Sequence, residues 1–362
     1  MPTERTVLPP VPPLAVESTR GGIIESRHTV AVAAADQSGR LVAWAGDPEQ
    51  ITFWRSAAKP FQAMPLVQDG AADAFSFGEP ELALACASHS SEPQHVELAR
   101  RMLAAIGCSE RDLACGGHTP LGDAPAKRMI REGLTPTPVW SNCSGKHAGM
   151  LALARHHGWP TAGYEKREHP VQQRIIAETA RWTGVDPDDM VLGIDGCTVV
   201  CFGLPLHAMA SAYARLITSA EPAAVRIRQA MMRHPDLVAG AGRYCTHLMS
   251  AWPGGVLAKV GAEGVYSAAL PDAGVGITLK VEDGDMVSAP IALHGVLEQL
   301  VARLLPERAG DSPLARVAAH GGRPIRNTRG EITGELRLSG DLRFAVPSPK
   351  ESMSGTTSRG VS

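Results

Sequence analysis

Short apolar runs separated by turn residues constrain the fold of this chain more than any other sequence feature. Three of these runs occupy 256–260, 265–270 and 276–281, and Gly or Pro residues punctuate the gaps between them. Runs of this length at hairpin spacing predict adjacent antiparallel strands. Two earlier runs, at 29–35 and 41–45, flank a polar turn and predict a hairpin that opens the fold.

Helical periodicity accounts for much of the remaining chain. The predicted helices cover 56–67, 91–107, 171–183 and 287–305, and further strands are predicted at 190–194, at 198–206 and in a hairpin around Arg329 and Gly330. We therefore predict an α/β protein whose antiparallel sheet is flanked by helices.

The composition is that of an ordinary globular protein. The chain has 362 residues, a formal net charge of -2, 44% hydrophobic and 20% charged residues, which gives no basic surface for nucleic acid or an anionic membrane. Prolines occupy the N-terminal segment where a signal peptide needs an apolar core, and no run of about 18 apolar residues occurs, so we expect a cytoplasmic protein. An odd number of cysteines, seven, favours reduced thiols over a disulfide framework.

Lysine is scarce, and three of the seven lysines lie in sequences suited to chemistry. A buried lysine can lose its proton and act as a base or a ligand, whereas an arginine stays charged. Lys59 ends a Ser-x-x-Lys motif that begins at Ser56, and on a helix the two side chains share a face. A desolvated lysine near another cation can activate a serine hydroxyl. Alone, the motif equally fits a solvated lysine behind a helix-capping serine.

Two later segments follow in the order that serine acyl-transfer enzymes of the β-lactamase type require. Those enzymes combine a helix-borne Ser-x-x-Lys, a second loop serine and a strand-borne Lys-Thr-Gly in one pocket. Ser88 precedes the predicted helix at 91–107, and Lys259, Val260 and Gly261 lie on a predicted strand. The valine replaces the threonine usual in penicillin-recognising enzymes, which argues against β-lactam recognition.

Six segments together resemble the bacterial L-asparaginase II family, of which the rhizobial inducible asparaginase is typical. The segments are 20–26, 55–60, 85–93, 142–149, 193–197 and 259–264. The resemblance implies one catalytic domain over 19–345, with a fold like that of serine β-lactamases and penicillin-binding proteins. A proline-rich arm at 1–18 would precede this domain, and a tail at 346–362, rich in Ser, Gly and Thr, is expected to be disordered.

The resemblance also implies an activity, the hydrolysis of L-asparagine to L-aspartate and ammonia by a homodimeric amidohydrolase with no nucleic-acid or membrane partner. Two Ser/Lys pairs would form its site, Ser56 with Lys59 and Ser88 with Lys259. We expect a serine to attack the side-chain carboxamide and water to resolve the ester. Ser56 is our first choice of nucleophile, and the inverted assignment, with Ser88 as nucleophile and Lys259 as its base, stays open.

The same segments supply candidate substrate-binding residues, namely Arg55, His147, Asp195, Gly261 and Glu263. Asp195 fits a strand-ending turn equally well.

The resemblance further implies a metal, usually zinc, held by Cys143, Lys146 and Cys197. By chemistry alone, two cysteines are an incomplete zinc site, and a lysine binds metal only as a neutral amine. The alternatives are a site that contains His147, a more conventional ligand, or two buried thiols without metal. We expect a metal here to position the substrate, because the serine already supplies a nucleophile.

Two rival functions are compatible with the sequence. A glutaminase or a serine hydrolase of the β-lactamase or peptidase kind would use the same chemistry on glutamine, a β-lactam or a D-Ala-D-Ala peptide. A non-catalytic zinc-dependent binding protein would hold an amino acid and leave it intact.

Overall fold

The computed structural model describes residues 11–309 and 312–345, and the predicted tail at 346–362 lies outside them. The strands are β1 (Leu14–Arg20), β2 (Ile23–Asp36), β3 (Leu41–Ala45), β4 (Ile51–Phe53), β5 (Val191–Ile194), β6 (Val200–Pro205), β7 (Leu257–Val260), β8 (Val265–Leu270), β9 (Val275–Val281), β10 (Gly322–Arg326), β11 (Ile332–Ser339) and β12 (Arg343–Phe344).

The helices divide into a set between β4 and β5 and a set after β6. They are α1 (Lys59–Gln62), α2 (Met64–Gln68), α3 (Ala71–Ala74), α4 (Glu79–Ala85), α5 (Pro93–Ala105), α6 (Asp123–Arg131), α7 (Ser144–His157), α8 (Pro170–Thr183), α9 (Leu206–Thr218), α10 (Pro222–Arg233), α11 (Pro235–Val238), α12 (Tyr244–Ala251), α13 (Ser288–Leu304) and α14 (Pro306–Ala309). In the part of the chain that the structure describes, no helix is long and apolar enough to cross a bilayer.

The main sheet has the order β10-β11-β1-β2-β9-β8-β7, and every pairing in it is antiparallel. The long strand β2 is its pivot, because it pairs with β9 along one edge and with β1 and then β3 along the other. A separate small sheet has the order β4-β6-β5. Helix α9 packs on β2, β8 and β9, and α13 packs on β1, β8, β9 and β11. The predicted antiparallel sheet flanked by helices is confirmed.

The main sheet begins earlier in the chain than the arm predicted at 1–18 allows. β1 starts at Leu14 and is paired with β2 on one side and with β11 on the other. Leu14 and Val16 are both buried, as expected for strand residues two positions apart that face the core. The preceding prolines obscured this pattern in the sequence.

The single helix predicted at 56–67 is divided into three short pieces. Arg55–Ala58 forms a 3₁₀ turn, and α1 and α2 follow it, each with a proline in its first turn. A proline has no N–H to donate to the preceding turn, so a new helix starts at each of these positions. Ser56 and Lys59 consequently lie on successive short turns and not on one continuous helix.

Helix α9 lies very close to the sheet at Gly276 of β9. A Cβ at this position would lie 2.0 Å from the carbonyl oxygen of Ala210 and 2.4 Å from the backbone nitrogen of Ala214. Only a residue without a side chain allows this contact between backbones.

We predict that Gly276→Ala lowers the free energy of unfolding by roughly 2 kcal/mol or more, because overpacking forces the helix from the sheet. The matched control is Gly116→Ala, since an added Cβ there meets no atom within 4 Å. The control should change the free energy by about 0.5 kcal/mol at most. Urea unfolding measures both, and equal effects would contradict the close-packing argument.

Candidate active site

The hydroxyl of Ser88 lies between two buried lysines. Lys259 Nζ donates a hydrogen bond to Ser88 Oγ at 2.8 Å, and Lys59 Nζ donates to the same oxygen at 3.1 Å. Ser88 is 3% exposed, and both lysines are fully buried. Its loop is held by the Ser88 N–H, which donates to the carbonyl of Val238. The structure therefore brings three of the four predicted catalytic residues to one point.

Lys59 has the surroundings of a charged ammonium. Besides Ser88 Oγ, its Nζ donates to the backbone carbonyls of Ala87 and Asn142. Three acceptors match the three protons of an ammonium, which has no lone pair left to accept one.

Lys259 has the surroundings of a neutral amine. Burial lowers its pKa well below the ordinary value, and the positive charge of Lys59 lowers it further. Its Nζ donates to Ser88 Oγ and to the carbonyl of Val260. A neutral amine in this place keeps a lone pair near the Ser88 hydroxyl, as a general base requires.

Ser56 lies beside this group without joining its hydrogen bonds. Among the described residues, no hydrogen bond links its half-buried hydroxyl to Lys59 or Lys259. Its turn is nevertheless rigidly held, because Trp54 Nε1 donates to Ser267 Oγ at 3.0 Å and Tyr213 Oη donates to the Ala57 carbonyl at 2.8 Å.

Three residues around the site have left-handed backbone conformations that cost energy outside glycine. They are Arg55 with φ of 53°, Thr198 with φ of 82° and Glu263 with φ of 57°. Backbone strain of this kind persists where the surrounding structure enforces it, and it concentrates in functional sites. Each of the three adjoins a predicted site residue or is one.

Arg55 links two other predicted substrate-binding residues. Its Nε donates to Asp195 Oδ1 at 2.9 Å, and its Nη1 lies 3.9 Å from Glu263 Oε1. Burial opposes ionisation of Asp195, but Lys146 and Arg55 hold its pKa below the ordinary value. Glu263 is 70% exposed, so the chain of charges runs from the interior to the surface.

Gly261, the remaining predicted substrate-binding glycine, lies at the end of β7. A Cβ on it would come within 3.0 Å of the carbonyl of Trp54. The strand that carries Lys259 can therefore lie directly against the turn that carries Ser56.

Cys143, Lys146 and Cys197 form a second buried cluster beside the serine. Lys146 Nζ donates to Cys197 Sγ at 3.0 Å. A hydrogen bond from Cys143 and the charge of Lys146 lower the pKa of Cys197 to about 5, although burial opposes this. The hydrogen bond with Cys197, together with burial, raises the pKa of Cys143 to about 12. The structure thus brings together the three predicted metal ligands, which lie on α7 and in the turn after β5.

A close contact of α7 with α4 places this cluster next to Ser88. A Cβ on Gly145 would lie 2.3 Å from the carbonyl oxygen of Leu84. The first turn of α7 can therefore pack against the end of the helix that leads to Ser88.

The donor atoms of the cluster suit a soft divalent metal. Two thiols and an amine are ligand types that zinc accepts, and one of the thiols is already disposed to ionise. Lys146 loses its proton less easily. Burial lowers its pKa, but the charges of Cys197, Cys143 and Asp195 raise it above the ordinary value. A metal would have to displace that proton. No group of three His, Cys, Asp or Glu side chains that could hold a metal occurs among the described residues.

His147 is fully buried next to this cluster. Its Nδ1 lies 2.6 Å from Tyr164 Oη, and its Nε2 has no hydrogen-bond partner in the described structure. Burial and the charge of Lys146 lower the pKa of His147 to about 3, so the ring is neutral.

Sequence reasoning missed the groups that hold the predicted residues in place. The backbone carbonyls of Ala87 and Asn142 accept from Lys59, and Tyr164 contacts His147. Ala87 and Asn142 lie within segments that carry the family resemblance, which was a usable signal. Nothing in the sequence around Tyr164 indicated its role.

The comparisons with known proteins agree with the motif evidence. The profile of the L-asparaginase II family matches residues 16–338. The chain belongs to the L-asparaginase II family. No curated protein shows significant sequence similarity to it.

Two kinds of solved structure resemble this asparaginase-family chain. A β-lactamase from Mycobacterium bovis is 11% identical, with a TM-score of 0.39, over 76% of this chain and 94% of that one. Two variants of the simvastatin synthase from Aspergillus terreus are 11% and 12% identical, with TM-scores of 0.35 and 0.33. Each match covers 70% of this chain, and 86% and 88% of the two variants.

We predict that Lys259 titrates well below the ordinary range of a lysine. The chain has only seven lysines, so NMR of protein labelled with ¹³C at lysine Cε can follow them separately. Substituting Lys59→Met should move the Lys259 midpoint to higher pH, because the charge that lowers its pKa is lost. Lys127→Met is the control for the loss of a remote lysine. An unchanged Lys259 midpoint in Lys59→Met would show that the two amines are not coupled.

Proposed function

We propose that this protein is an L-asparagine amidohydrolase that works by serine acyl transfer. The observation that carries the proposal is the Ser88 hydroxyl held between Lys259 at 2.8 Å and Lys59 at 3.1 Å. Membership of the L-asparaginase II family supports the amide substrate. We expect a homodimer, as the family resemblance implies, and a cytoplasmic location.

The geometry favours Ser88 as the nucleophile. Neutral Lys259 accepts the hydroxyl proton as Ser88 Oγ attacks the carboxamide carbon, which gives a tetrahedral intermediate. The proton on Lys259 then passes to the departing nitrogen, and ammonia leaves an ester on Ser88. Water, deprotonated by the same amine, hydrolyses the ester to L-aspartate and returns the proton to Ser88.

The charged Lys59 has a different role in this scheme. Its ammonium donates to Ser88 Oγ and is held by two backbone carbonyls, so it is preorganised where negative charge develops. Lys259, whose pKa is lowered by burial and by the charge of Lys59, thus acts as the base, and Lys59 acts as the electrostatic stabiliser. Ser56 remains the alternative nucleophile, and Lys59 would then have to exchange a carbonyl contact for the Ser56 hydroxyl.

The predicted substrate-binding residues can hold the amino-acid end of the substrate. Arg55 offers a cation to a carboxylate, and Asp195 and Glu263 offer anions to an ammonium. When zinc is bound, Cys143, Lys146 and Cys197 would hold it, and it would supply a positive charge that orients the substrate.

We predict that Ser88→Ala and Lys259→Met each lower kcat for L-asparagine by about 10³-fold or more, because the two act as a unit. Lys259→Arg should be equally inactive, since a guanidinium cannot accept the proton. Lys127→Met, at an exposed position, serves as the control and should keep wild-type turnover. Circular dichroism checks that all variants are folded.

Mass spectrometry of a trapped acyl-enzyme decides between the two serines. The proposal requires the ester on Ser88. An ester on Ser56, together with an inactive Ser56→Ala variant, would transfer the role of nucleophile to Ser56. Intact L-asparagine after long incubation with the wild-type protein would refute the amidohydrolase activity altogether.

For the metal, we predict that a chelator or Cys143→Ser raises KM for L-asparagine more than it lowers kcat, because the metal positions the substrate. Elemental analysis should find zinc in the active protein, with less in Cys143→Ser. The control is Cys108→Ser, at a cysteine outside the cluster. Fully active, freshly purified protein without metal would exclude this role.

A further inference from the structure

Tyr164 connects His147 to the backbone through one hydroxyl group. Tyr164 Oη lies 2.6 Å from His147 Nδ1 and accepts a hydrogen bond from the Ala114 N–H at 2.9 Å. Tyr164 is 1% exposed, and His147 is fully buried. Solvent therefore does not compete for any of these groups.

The protonation state of the two rings follows from counting donors and acceptors. If Tyr164 donates to Nδ1, every polar atom of the pair is satisfied except the proton on His147 Nε2. If Nδ1 instead carried the proton and donated to Tyr164, the tyrosine proton and the Nε2 lone pair would both be left buried and unpaired. Leaving a buried polar group unsatisfied is costly, so the first arrangement, with one such group instead of two, is the stable one.

This arrangement places the imidazole proton on Nε2. A nitrogen that carries a proton has no lone pair for a metal. It is also a buried donor that finds no acceptor in the described structure. Buried donors without partners are rare in native proteins, and one in a site indicates a ligand group that the structure does not contain.

We propose that Tyr164 fixes His147 in its Nε2–H form, so that His147 donates to a carboxylate oxygen of the amino-acid ligand and is excluded from the metal ligands. The proposal rests on the proposed function, because the amino-acid ligand is the one that the proposed function assigns. It is supported by position, because His147 directly follows Lys146 on the first turn of α7.

The tautomer can be measured without turnover by NMR of protein labelled with ¹⁵N-histidine. Long-range correlations should show a protonated Nε2 and an unprotonated Nδ1 for His147. Adding one equivalent of Zn²⁺ should leave the proton on Nε2, and adding L-aspartate should shift the Nε2–H resonance. An Nδ1–H tautomer, or loss of the Nε2 proton on adding Zn²⁺, would overturn the proposal.

The Tyr164→Phe variant tests the role of the hydroxyl. It frees Nδ1 to take the proton, so a second tautomer should appear and L-aspartate should bind about threefold to tenfold more weakly by calorimetry. Tyr244→Phe is the matched control, because it removes the hydroxyl that lies 3.2 Å from Nδ1 of His294 in another buried Tyr–His pair. It should leave both the His147 tautomer and the affinity unchanged.

Substitution of the histidine separates a donor from a structural support. His147→Gln keeps an N–H near the position of Nε2 and should retain more affinity than His147→Leu, which should bind L-aspartate about 10- to 100-fold more weakly. Equal affinity in the two variants would overturn the donor role. A protein that lacks asparaginase activity yet retains the Nε2–H tautomer would refute the proposed function and leave the tautomer assignment intact.

Discussion

One hydroxyl shared by two buried lysines is the interaction on which the rest of this site depends. Two ammonium groups cannot be buried against the same oxygen without strong repulsion. The protein resolves this conflict by surrounding Lys59 with carbonyls, which stabilise its charge, and by giving Lys259 too few acceptors for an ammonium. The result is two amines in different surroundings that share one hydroxyl, and the proposed roles of base and electrostatic stabiliser rest on this difference.

The fold brings Ser88, Lys59 and Lys259 together from different parts of the chain. Ser88 follows a helix, Lys59 lies on a short turn and Lys259 lies on a strand, so three separate elements must meet within hydrogen-bond distance. Glycines permit the meeting, because Gly145 lets α7 touch the end of α4 and Gly261 lets β7 touch the Trp54 backbone. Arg55 has a left-handed backbone conformation, which costs energy. The surrounding structure therefore holds the turn that carries Ser56 in place.

Much of this architecture could be predicted from the sequence, because strands and long helices leave a periodic signal. The three late strands, the β2–β3 hairpin and α13 were predicted on that basis, although β1 precedes that hairpin in the sheet. Local structure was harder to predict: the spacing over 56–67 predicts one helix, although Pro60 and Pro65 each begin a new short helix. The motifs also suggested two separate Ser/Lys pairs, because sequence order cannot reveal that both lysines reach the same serine. Tyr164 gave no signal, since its role is a tertiary contact with a single atom.

Two lysines of the site show why residue type alone does not define chemistry. Lys259 faces a cation in a buried space, and its pKa falls. Lys146 is equally buried, but it faces Cys197, Cys143 and Asp195, and its pKa rises. The low pKa of Lys259 therefore favours a neutral amine, which is able to accept a proton. Lys146 keeps its proton until a cation such as a divalent metal displaces it. The surroundings thus give two buried lysines of one site opposite pKa shifts, although the sequence presents both as the same residue type.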